Sequence, residues 1–84
     1  MRKNKPTEEQ NKAVAALIRE RRDILGISQI EVAARAGVCN ELVGRFERRE
    51  RELLTARFKT VTGVLDALGI NATEFAKKYV EGCR

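Results

Sequence analysis

The strongest constraint on the fold of this chain is a glycine set between two short amphipathic runs. Before it lies SQIEVAARA, residues 28–36, and after it VCNELVGRFE, residues 38–47. Ser28 followed three residues later by Glu31 is a capping-box pattern, in which hydroxyl and carboxylate each satisfy an otherwise orphan backbone N–H at a helix start. Ile30, Val32, Ala33, Ala34 and Ala36 supply small or apolar positions for that helix. Gly37 can adopt the left-handed conformation of a sharp turn. A second helix can restart at Cys39 or Asn40. Two short helices joined by such a turn make a helix-turn-helix.

The rest of the composition limits what this motif can belong to. With 84 residues the chain can build one small core, near the size at which folding alone is marginal and dimerisation helps. Seventeen Lys and Arg against twelve Asp and Glu give a net charge of +5, the sign a nucleic-acid partner requires but too modest to decide the matter. No apolar run approaches the roughly 18 residues of a membrane span, and the polar start offers no signal-peptide core, so a cytoplasmic location is expected. Cys39 and Cys83 are distant in sequence, and no histidine is present to join them as ligands. Neither a metal site nor any other cofactor is expected. An enzyme is not expected either, since the cysteines lack a base partner, no Gly-rich phosphate loop appears, and the carboxylates are interleaved with arginines.

Helical periodicity runs along the chain. Residues 1–6 form a basic, flexible lead with Arg2, Lys3 and Lys5, readable as an arm along DNA or as a solvated terminus. Thr7 with Gln10 opens a helix to about Leu25, with Val14, Leu17, Ile18 and Leu25 as its buried face and Gly26 as its stop. After the charged run Arg48 to Glu52 and the apolar pair Leu53-Leu54, Phe58, Val61, Val64, Leu65 and Leu68 predict an inward helical face ending at Gly69. Asn71 with Glu74 caps a last short helix whose apolar side is Phe75, Ala76, Tyr79 and Val80. The prediction is an all-α, compact five-helix bundle with the domain over 7–81 and a tail over 82–84. Nothing alternates with the period of a strand.

On a helical wheel, Asn40, Glu41, Gly44, Arg45 and Arg48 share one arc of the second short helix, and Leu42, Val43 and Phe46 the other. The polar types suit base edges in a major groove: Arg45 for guanine, Asn40 for adenine, Glu41 for cytosine. Gly44, without a side chain, would allow close approach. The same wheel fits an ordinary amphipathic helix with a solvated face; the join to the preceding helix and turn favours the DNA reading.

Residues 14–76 resemble the Cro/repressor-type helix-turn-helix family, also called the xenobiotic-response-element family. The resemblance rests on Ile18-Arg19, Arg22, Gly26-Ile27-Ser28-Gln29, Val32-Ala33, Gly37-Val38, Val43, Phe46-Glu47 and Ala67-Leu68-Gly69-Ile70. It implies a lambda-repressor-like fold with the motif at helices 2 and 3. It implies base reading by Asn40, Glu41, Gly44 and Arg45, and a partly buried ion pair between Arg22 and Glu47. Phosphate contacts would come from Ser28 and Gln29 and from Arg48, Arg49, Arg51 and Arg57, although these arginines also fit a solvated charge run.

Three features depart from the family. Cys39 stands where a Ser or Thr cap is usual, and a thiol accepts hydrogen bonds weakly. Arg49 replaces a glycine, so the reading helix is expected to extend instead of turning sharply. The connection to Phe58 is about three residues longer than the family pattern. A redox role for Cys39 has no resolving cysteine to support it.

The expected function is a homodimeric, sequence-specific transcription regulator on double-stranded DNA. It would be a repressor or autoregulator of a near-palindromic operator, with dimer contacts from Leu68, Ile70, Phe75, Tyr79 and Val80, which offer more apolar surface than one small core needs; the alternative is that they only close the core of a single copy. Alternatives are an antitoxin or a restriction-modification controller of the same fold, either with a cognate partner protein, and a helical protein-interaction module without DNA binding.

Overall fold

Every long helix of this chain is closed by the same backbone device, and the devices divide the chain into its parts. The computed structural model describes residues 6–80, with helices α1 (Glu8–Leu25), α2 (Gln29–Ala36), α3 (Asn40–Glu47), α4 (Phe58–Ala67) and α5 (Ala72–Phe75). A single 3-10 turn, Leu53–Thr55, lies between α3 and α4, and the backbone after α5 continues through wider, π-type turns over Ala76–Val80. No strand occurs among the described residues, and none of their helices is long and apolar enough to cross a membrane. The residues of the basic lead up to Lys5, the tail with Cys83, and the side chain of Val80 lie outside the described part.

The helix starts follow the sequence with one exception. Thr7 and Gln10 form the full capping box, each side chain bonded to the other's backbone N–H. At α2 only half of the expected box forms: Ser28 Oγ accepts from the Glu31 N–H at 3.1 Å, while the Glu31 carboxylate turns to Arg35 at 2.7 Å. An exposed i,i+4 cation competes for the carboxylate that the box would have used.

At the helix ends, α1, α2 and α4 turn at Gly26, Gly37 and Gly69, all at φ near +70°. At each, paired N–H groups fold back on the last-turn carbonyls, as Gly37 does on Ala34 at 3.3 Å and Val38 on Ala33 at 3.0 Å. This is the Schellman geometry that satisfies orphan carbonyls. Arg21 adds a further cap, its Nε and Nη2 each 3.2 Å from the Leu68 carbonyl oxygen at the end of α4.

The core is the shared face of these helices. Val14 and Ile18 of α1, Val32 and Ala33 of α2, Val43 and Phe46 of α3, and Val64 and Leu65 of α4 are buried together, with Leu53, Leu68 and Phe75. Two residues expected inside are not. Leu25, on the last turn of α1, is 42% exposed, and Phe58 is 82% exposed. In the last turn of α1 the inward side is taken by Arg22, bonded to Glu47 and to the Ile27 carbonyl, while Ile24 and Leu25 lie toward solvent. Phe58 is the first residue of α4, and a helical side chain leans toward the N-terminus, here past the helix end into solvent.

A second correction concerns the surface expected to hold a partner copy. Leu68 and Phe75 are 0% and 4% exposed, consumed by this chain's own core. Ile70 and Tyr79 pack against its edge half-buried, Tyr79 with its ring centroid 5.1 Å from that of Phe75.

Helix α4 lies against the end of α2 with backbone nearly touching backbone. A Cβ built on Gly63 would come within 2.7 Å of the Ala36 carbonyl oxygen. Gly63→Ala would gain about 1 kcal/mol of helix propensity but lose about 1–3 kcal/mol to overpacking against an immovable carbonyl. The variant is expected to unfold at lower urea than the parent; an equal or higher midpoint would show that α2 and α4 can separate freely.

Candidate nucleic-acid interface

The exposed face of α3 is set by what its other face buries. Val43 and Phe46 are 0% and 2% exposed and Leu42 packs against the core, which turns Asn40, Glu41, Arg45 and Arg48 outward. The helix begins at Cys39, whose thiol makes no capping hydrogen bond; the first turn is closed instead by the Leu42 N–H on the Cys39 carbonyl at 3.1 Å. Arg45 is exposed and forms no ion pair among the described residues.

Behind this face, Arg22 of α1 and Glu47 of α3 meet as a two-pronged pair, Nε to Oε2 at 2.7 Å and Nη2 to Oε1 at 3.1 Å. Their side chains are 16% and 6% exposed. Nη1 of Arg22 also donates to the Ile27 carbonyl at 3.3 Å, and Nε2 of Gln29 donates to Glu47 Oε1 at 3.1 Å. The hydrogen bond to Glu47 raises the Arg22 pKa against the opposing effect of burial. One carboxylate thus gathers side chains from α1, the first position of α2 and the last position of α3. Gln29, expected on a phosphate, has its amide N–H engaged inside the protein, and the hydroxyl of Ser28 serves as the α2 cap.

Gly44 requires a correction. It is buried, and a Cβ there would lie 2.9 Å from Nη1 of Arg48 and 3.1 Å from Oε1 of Gln29. The two side chains close over the position, so Gly44 is the floor beneath Gln29 and Arg48 and not an open approach to the groove. The wheel puts Gly44 among the polar residues because it cannot include a side chain arriving from α2.

The exit from α3 also differs from the sequence expectation. The helix does not extend; it stops at Glu47, and Arg49 takes φ 66°. The Arg49 N–H reaches the Phe46 carbonyl at 3.3 Å, and the Glu50 and Arg51 N–H groups reach that of Arg45 at 2.9 and 3.2 Å. An arginine therefore makes the turn that glycine makes elsewhere. The longer connection is pinned by Leu53, 2% exposed in the core.

The four loop arginines differ in availability. Arg48 is paired with Glu50 at 2.9 Å, both half exposed. That bond holds the Glu50 carboxyl below the usual range, so both partners are ionised at neutral pH. Arg49 is held by Glu8 and Glu52, each at 3.0 Å. Arg51 and Arg57 are exposed and unpaired among the described residues. Sequence reasoning misses the three glutamates. Glu50 and Glu52 alternate with arginines in the charged run, a visible local signal, but Glu8 lies 41 positions from Arg49 and offers none.

The two short helices, their turn and the flanking bundle form a helix-turn-helix fold. No family model matches the chain, and no curated protein matches it. Among solved structures it is similar to a point mutant of the restriction-modification controller protein C.Esp1396I, with a TM-score of 0.70 at 15% identity over 93% of this chain and 94% of that one. The likeness establishes the fold.

Replacing Glu47 by alanine would leave Nε and Nη2 of Arg22 and the Gln29 amide without the carboxylate they share. Because Arg22 keeps some solvent contact, the cost is expected at the low end of the range for broken buried pairs, about 3 kcal/mol. Urea unfolding measures it, and a parent-like midpoint would show that the pair carries no weight.

Proposed function

We propose that the chain is a sequence-specific, double-stranded-DNA-binding transcription regulator that acts as a cytoplasmic homodimer without cofactor or enzymatic activity. The observation carrying this reading is the outward face of α3, where Asn40, Glu41 and Arg45 project from a helix whose opposite side is locked into the core. Arg45 is the strongest reader, because its guanidinium, in no hydrogen bond or ion pair among the described residues, can bond both O6 and N7 of a guanine. Arg51 and Arg57 supply phosphate contacts. Arg48 joins them when a phosphate displaces Glu50. Ile70 and Tyr79 are the described remnants of the dimer surface. Two reading helices related by a two-fold axis address half-sites about 34 Å apart, hence a near-palindromic operator.

A narrower version, a controller of a restriction-modification system, is favoured by the likeness to the controller protein C.Esp1396I. Regulation by repression or autoregulation fits either version.

Selection of bound duplexes from a random pool is expected to return two related half-sites. On the selected site Arg45→Ala should lose about 1–3 kcal/mol and relax one base position, whereas Arg51→Ala should weaken all sequences alike and reduce the salt slope by about 0.9. Failure to shift any duplex at low salt would favour a protein-interaction module instead. A monomer in sedimentation well above micromolar concentration would remove the dimer.

A further inference from the structure

Of the four left-handed helix endings among the described residues, three use glycine and the fourth uses Arg49. A side chain is disfavoured there because its Cβ crowds the next carbonyl, so the arginine must return something glycine cannot. What it returns is a contact across the molecule. Its Nη1 donates to Glu8 Oε2 at 3.0 Å, and its Nε and Nη2 donate to Glu52 Oε2 at 3.1 and 3.0 Å. Glu8 is the first residue of α1, and Glu52 directly precedes the 3-10 turn anchored by Leu53. On the other side of Arg49, the Glu50 and Arg51 N–H groups close on the carbonyl of Arg45. The Glu8 carboxyl is held below its ordinary range by Arg49, so this contact is ionised at neutral pH.

We propose that Arg49 is a positioning residue and not a phosphate contact: it braces the exit of α3 against the start of α1, fixing the direction in which Arg45, Arg48 and Arg51 face DNA. A phosphate approaching this guanidinium would meet the charges of Glu8 and Glu52 already seated on it. The inference rests on the DNA-binding reading above.

The two roles predict opposite signs for one substitution. Removing a carboxylate near a DNA-facing surface strengthens binding when it acts only as a charge. If Glu8 is half of a brace, Glu8→Gln weakens binding by about two- to fivefold, the scale of an exposed ion pair. Arg49→Gly, which suits the backbone, should weaken binding as much without changing the slope of log K against log salt, and the double variant should be no weaker than Arg49→Gly alone. Circular dichroism checks that each variant is folded. Tighter or unchanged binding by Glu8→Gln, or a slope reduced by about 0.9 in Arg49→Gly, overturns the brace. If the parent binds no duplex, the DNA reading fails separately. The brace is then read by amide exchange at Glu50 and Arg51, which is faster in Glu8→Gln if the contact holds the turn and unchanged if it does not.

Discussion

The carboxylate of Glu47 is the point on which the geometry of the motif turns. Taking it and Arg22 out of water costs several kcal/mol per ion, and attraction alone repays this only when the geometry is good and the remaining donors are satisfied. Here the guanidinium fork is matched by both carboxylate oxygens, its remaining arm finds the Ile27 carbonyl, and Gln29 completes Glu47. The consequence is orientational. Burial of Val43 and Phe46 decides which face of α3 points inward, and the two-pronged ion pair adds a directional tie between its last residue and α1.

The same network explains the shape of the outer surface. Gln29 reaches Glu47 beside residue 44, where a Cβ would press on the ends of the Gln29 and Arg48 side chains at 3.1 and 2.9 Å. What reads as a gap in the polar face of α3 is filled by α2 and by Arg48. The groups available at this surface are therefore decided by two helices together.

Much of this is legible from local signals. Thr7 with Gln10, Ser28, Gly26, Gly37 and Gly69 mark helix boundaries through bonds that span three to five residues, and periodicity places Val14, Ile18, Val43 and Phe46 inside. The pair of Arg22 with Glu47 is accessible only through family resemblance, its members being separated by 25 positions. Sequence and structure part where a position's fate depends on distant chain. Leu68 and Phe75 look surplus to a small core because the space they fill is made by several helices at once. The backbone preference of Arg49 alone favours a helix, while the N–H groups of Glu50 and Arg51 on the Arg45 carbonyl and the burial of Leu53 close a left-handed turn there.

The contact of Gly63 with the Ala36 carbonyl has a consequence at larger scale. Helices that meet through side chains can rock as those side chains change rotamer, but α2 and α4 meet through backbone. At this point the two helices have no side chain between them to yield. In a two-fold pair assembled through the far end of the molecule, the distance between the two copies of α3 would then be built into each subunit like the fixed jaws of a caliper.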